Sequence, residues 1–111
     1  MVPAGVQIFL AREPIDLRRG FHKLSGMVRE HLLYDPRCGA LFVFYGKRRH
    51  AVKILYFDGT GMCLLYKRLD AGTFAIPEIS QDAESVELDE VDLNALLHDI
   101  LPPRRRKRVL H

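Results

Sequence analysis

The sequence predicts an α+β fold: a small antiparallel sheet, built from a β-meander of three to four strands plus an N-terminal strand, packed against one long helix, with a short C-terminal helix. Three observations carry this expectation. Residues 41–68 contain three runs rich in β-branched, aromatic and leucine residues, separated by two turn-like breaks. Leu17, Phe21, Leu24, Val28 and Leu32 recur at the spacing of one helix face. Asp89 then precedes a second helical pattern that Pro102 and Pro103 end.

Taken in order, residues 5–10 put Val6, Ile8 and Leu10 on one face, as in a half-buried strand. Pro14 closes that segment, because it cannot donate to a ladder. Asp16 is a suitable N-cap for a helix from about Leu17 to Leu33, which stops before Asp35 and Pro36. Gly20 and Gly26 each weaken that helix by roughly 1 kcal/mol relative to alanine.

The meander strands are Leu41–Tyr45, Ala51–Phe57 and Met62–Arg68. Asp58-Gly59 predicts a tight hairpin turn, since glycine supplies positive φ without steric cost. Thr73–Pro77 is a candidate fourth strand, residues 78–85 a polar loop, and residues 86–88 a short extended piece. Asp92 suits the first turn of the second helix, where acid complements the dipole. Leu96, Leu97 and Ile100, with Val91 or Leu93, supply its apolar stripe. Residues 1–101 thus read as one domain and 102–111 as a basic flexible tail.

Charge is distributed in blocks. The net formal charge of +3 divides into +7 over residues 1–68, −9 over 69–101 and +5 over 102–111. A basic body and tail point to a polyanion, and the acidic segment to internal neutralisation or another protein. The turn carrying Lys47, Arg48 and Arg49 cannot be packed inside, because unpaired buried charge is very costly. It is either a solubilising turn or a finger for phosphate. Arg18, Arg19 and Lys23, near the expected helix start, offer a second phosphate-binding group or pair internally with acids.

Other classes find little support. No apolar run approaches the roughly 20 residues a membrane helix needs, and no secretory signal is seen. Two cysteines, Cys38 and Cys63, fit a cytoplasmic protein with free thiols. Cys38, His50 and Cys63 lack metal-ligand spacing, so no metal or cofactor is expected. Asp16, Asp35 and Asp58 occupy caps and turns that already explain them, and His22 with Ser25 has no orienting acid. No P-loop, nucleophile-elbow or dinucleotide glycine motif occurs, so no enzyme is expected. No zinc-finger, RNP or helix-turn-helix signature appears either. Tyr34, Tyr45, Tyr56 and Tyr66 interleave with the cations in a way that suits either base stacking or a core.

The ordered motifs resemble a known family. They are residues 16–21 (DLRRGF) with Leu24, Asp35-Pro36, residues 39–46 (GALFVFYG), Lys47-Arg48-Arg49, residues 53–59 (KILYFDG), residues 61–64 (GMCL) and residues 66–69 (YKRL) with Gly72 and Phe74. Together they are similar to the accessory TnpB-type protein of insertion-sequence family sixty-six, over about Val6 to Ile100. The resemblance implies a small bacterial protein encoded beside a separate transposase and accessory to transposition. It implies no nuclease centre of the kind found in the longer RNA-guided enzyme that shares the TnpB name.

Three functional readings follow. The first is a non-catalytic DNA-binding accessory using Arg18, Arg19, Lys23, Lys47, Arg48, Arg49, Lys53, Lys67 and Arg68, with Arg104, Arg105, Arg106, Lys107 and Arg108 adding electrostatic grip. The second is a subunit that docks on the element's transposase through the acidic 78–92 segment and an open sheet edge. The third, a hydrolytic enzyme, has the least support.

Overall fold

The computed structural model describes residues 5–103. Seven strands and two short helices follow in the order β1 (Ile8–Ala11), α1 (Phe21–Met27), β2 (Leu41–Tyr45), β3 (Ala51–Phe57), β4 (Met62–Arg68), β5 (Thr73–Phe74), β6 (Ser85–Leu88), α2 (Glu90–His98) and β7 (Ile100–Leu101). Five strands form the main sheet in the order β4-β3-β2-β1-β6, while β5 and β7 pair separately. The structure is therefore dominated by its sheets, and the expected long helix is absent.

The helix shortens at both ends for local reasons. Asp16 does not cap a helix: its carboxylate accepts a hydrogen bond from the Arg18 backbone N–H at 3.0 Å, which is an Asx-turn. Gly20 is extended, with φ −101° and ψ −161°, so the helix begins only at Phe21. Beyond Met27 the chain widens into a π-helical turn, Val28–Leu32, and stops at Leu33 in the left-handed region with φ 62°. Leu24, Val28 and Leu32 are buried as the stripe requires, but Phe21 is half exposed.

The N-terminal strand is central, not half-buried. β1 pairs in parallel with β2 and antiparallel with β6, so the sheet is mixed. Ile8 and Leu10 face a core shared with Leu93 and Leu96 of α2. Phe9 and Ala11 face the other core, with Leu24, Val28 and Leu32 of the α1 region. Burial on both faces demands a continuous apolar run, which Ile8–Ala11 supplies. On the α1 face Phe9 stacks on Tyr34, ring centroids 4.2 Å apart, and on Phe42 at 5.8 Å.

The meander itself is present: β2–β3 and β3–β4 pair antiparallel. Its second turn is a loop spanning residues 58–61, closed by the Asp58 N–H bonding to the Gly61 carbonyl at 3.1 Å, rather than a two-residue turn. The segment after β4 does not extend the meander. β5 pairs with β7, and Gly72 at φ +81° lies so close beneath that a Cβ would run into the Leu101 carbonyl. Helix α2 starts as expected, with a reciprocal capping box between Asp89 and Asp92. It ends at His98, and Ile100 belongs to β7.

Candidate nucleic-acid interface

The turn between β2 and β3 is built on short-range bonds. The Gly46 N–H donates to the Ala51 carbonyl at 3.4 Å and the Arg49 N–H to the Gly46 carbonyl at 2.9 Å. Arg49 itself has φ 58°, a left-handed conformation uncommon outside glycine. The surrounding chain holds this strained tip from two sides. The Ile15 N–H donates to the Tyr45 carbonyl at 2.9 Å, and Leu17 packs so closely that a Cβ on Gly46 would lie 3.1 Å from its Cδ1. On the other side the Leu69 N–H donates to the His50 carbonyl at 2.8 Å and the Phe74 N–H to the Arg49 carbonyl at 2.7 Å.

This bracing creates a cleft. Residues 14–18, the tip and the end of β4 enclose about 890 Å³ of open space. Arg18, Lys47, Arg48, Arg49 and Arg68 line it, with His50 and Tyr66, against one carboxylate, Asp16. A second, shallower cleft of about 630 Å³ shares Asp16 and Arg18 and continues to Arg19, His22 and Lys23. Arg18 thus lies between the tip and the start of α1, and both basic groups border one surface.

Asp16 tempers that surface locally. Its carboxylate accepts guanidinium bonds from Arg18, Nη2 to Oδ2 at 2.7 Å and Nε to Oδ1 at 3.0 Å and to Oδ2 at 3.1 Å. These bonds hold the Asp16 carboxyl well below the usual carboxylate range. The pair is exposed, so water and salt screen it. Among the described residues no ion pair involves Lys47, Arg48, Arg49 or Arg68; the pairs are Arg12 with Glu13 and Glu84, and Arg18 with Asp16. Among the described residues, Glu84 alone of the acidic 78–92 segment pairs with a cation. Asp89, Glu90 and Asp92 follow Leu88, which pairs with Ile8 at the end of the sheet away from the tip.

Two expected contact residues are engaged internally. Lys53 is buried, and its ammonium donates to the Arg19 carbonyl at 2.9 Å while lying 5.3 Å from the centre of the Tyr66 ring. Lys67 points to the opposite face and donates to the Leu97 carbonyl at 2.7 Å, satisfying the C-terminal end of α2. Both follow from register, since alternate residues of β3 and β4 face opposite sides of the sheet. Arg18 and Arg19 precede α1 rather than sitting in its first turn, and only Lys23 is helical. Arg104, Arg105, Arg106, Lys107 and Arg108 lie outside the described residues. Of the four tyrosines that the sequence leaves open between stacking and a core, Tyr66 lines the cleft, two residues before Arg68 on the same strand face.

The other chemistry is sparse. Among the described residues no three His, Cys, Asp or Glu side chains gather in a group that could hold a metal ion. No described helix is long and apolar enough to cross a membrane.

Fold and site together define a small, sheet-dominated protein whose described residues form an open basic cleft. Comparison with known sequences gives its relationship: the family described as IS66 Orf2 like protein matches residues 6–107, and the chain belongs to that family. This is the TnpB-type accessory family of insertion-sequence transposition, and it is not a known catalytic family. The chain is 39% identical over 89 residues to the uncharacterized protein y4jC of Sinorhizobium fredii (strain NBRC 101917 / NGR234), covering 80% of this chain and 76% of that one. It is 37% identical over 102 residues to the uncharacterized protein y4hO of the same organism, covering 90% and 87%. No solved structure matches.

Proposed function

We propose that this protein is a non-catalytic accessory of DNA transposition that grips nucleic acid in the cleft between the β2–β3 tip and residues 14–18. The observation that carries this reading is the convergence of Arg18, Lys47, Arg48, Arg49 and Arg68 on one open concavity with a single carboxylate. Cations in a concave site attract phosphates more strongly than the same charges spread over a surface. Arg19 and Lys23 extend the track along the second cleft. Lys53 and Lys67 are left out of the contact set, because their ammonium groups serve backbone carbonyls. Residence in the cytoplasm, with the element's DNA, goes with this reading. The test is salt-dependent binding of a DNA fragment that weakens when Lys47, Arg48 and Arg49 are all replaced by alanine.

A second reading is favoured by a different surface. Among the described residues β4 is an edge strand, bonded along one side only, to β3. Leu65 on that edge is 46% exposed and borders an apolar hollow with Ile54, Tyr56, Leu93 and Leu97. An exposed edge beside an apolar hollow suits strand addition by a partner, with backbone bonds for affinity and a side-chain pocket for specificity. The transposase encoded by the same element is the partner this reading names. Nuclease-resistant co-purification that is lost in Leu65→Lys tests it.

A further inference from the structure

We infer that the basic cleft selects unpaired nucleic acid, with Tyr66 as the platform on which a base stacks; this rests on the cleft reading above. Tyr66 is 55% exposed, and it lines the cleft that Arg18, Lys47, Arg48, Arg49 and Arg68 share. A duplex keeps its base faces inside the stack and offers phosphates only. A single strand offers both, and an aromatic ring beside cations is the arrangement that takes both.

Three features fit the ring for this task. It lies on the α1 face of β4, opposite Lys53 in the register. The Lys53 ammonium, anchored by the Arg19 carbonyl, lies 5.3 Å from the ring centre and supports it by a cation–π contact. Arg68 stands two residues along, on the same strand face, roughly 7 Å away by strand geometry. A base on Tyr66 therefore has phosphate partners in Arg68 and in Arg18 and Arg49 of the same lining. No hydrogen-bonding reader of base edges is required, so the selection is for strandedness rather than sequence.

The experiment measures equilibrium binding of the full chain to a labelled thymine homo-oligomer and to a duplex of equal length, at matched salt. The expected result is tighter binding of the single strand. Tyr66→Ala weakens it on the order of 5- to 150-fold, as loss of one stacked base does, and leaves the salt slope unchanged. Tyr66→Phe retains affinity. The chain contains no tryptophan, so in Tyr66→Trp a single indole reports stacking by quenched fluorescence.

Several outcomes overturn the inference. If the single strand and duplex bind equally, and Tyr66→Ala binds like the parent while the Lys47, Arg48 and Arg49 triple variant does not, the cleft reading stands and stacking falls. A loss in Tyr66→Ala that Tyr66→Phe shares, or that comes with a lowered melting temperature, is an effect on the fold and equally removes stacking. If neither nucleic acid binds the parent chain, the cleft reading itself fails and this inference with it.

Discussion

The backbone N–H of Phe74 donates a 2.7 Å hydrogen bond to the carbonyl of Arg49, tying the segment after β4 to the left-handed residue of the basic tip. The tip is therefore a braced element of the fold. A braced cation loses less freedom on meeting a phosphate than a mobile one, which favours affinity. The brace depends on the chain turning at Gly72, just before β5 pairs with β7.

Gly72→Ala strains both φ and the contact with the Leu101 carbonyl. We expect a loss of roughly 1–3 kcal/mol in urea unfolding, with weaker DNA binding as the tip loosens. Unchanged stability would show that this fold-back does not hold the tip.

Asp16 holds Arg18 in a bidentate pair at the mouth of the cleft. Asp16→Asn removes the one carboxylate of the lining and releases a guanidinium to the ligand. Affinity for DNA should rise about two- to fivefold at low salt, and the gain should shrink as salt screens it. A fall in affinity would mean that the pair positions Arg18 for the ligand rather than withholding it, since asparagine can keep the Asx-turn.

Lys53 separates a structural cation from a binding one. Lys53→Met leaves the Arg19 carbonyl without its partner and should lower stability by about 1–2 kcal/mol. The log–log salt slope of DNA binding should stay as in the parent, because no phosphate contact is lost. A slope reduced by about one would return Lys53 to the contact surface.

Asp58 gives the hairpin a defined acid limit. Its carboxylate accepts from the Thr60 N–H and hydroxyl and from the Gly61 N–H, at 2.8, 2.9 and 2.9 Å. Chiefly the Thr60 backbone bond pulls its pKa down to about 2. The folded value lies below the ordinary one, about 4, so the contribution is complete above pH 4 and fades as pH falls through 2. Carboxyl NMR titration should give a midpoint near 2, and the Asp58→Asn hairpin should lose this dependence. A midpoint near 4 would show that the turn does not hold the ionised form.

What the sequence revealed and concealed follows from the range of the interactions. The meander strands and the Asp89 cap were legible, since alternation, turn residues and capping act over a few positions. The start of α1 was obscured by Asp16, which satisfies a turn as readily as a cap, and Gly20 was the readable sign that the helix begins later. Phe9 between Ile8 and Leu10 signalled a strand buried on both faces, but the parallel partner β2 lies beyond a crossover of 29 residues. The inward roles of Lys53 and Lys67 depend on register and on helices placed by distant contacts. The cleft was the least legible feature, because the Ile15–Tyr45 bond that brings residues 14–18 to the tip joins residues 30 positions apart.

The most direct test of the basic cleft is a salt titration of DNA binding by the parent chain and by the Lys47→Ala, Arg48→Ala, Arg49→Ala triple variant. The expected affinity falls steeply and linearly on log–log axes, near −0.9 in slope per neutralised phosphate on duplex and near −0.7 on a single strand. The triple variant should bind more weakly with a slope shallower by about two to three. Affinity indifferent to salt, or a triple variant that matches the parent in both affinity and slope, would contradict it.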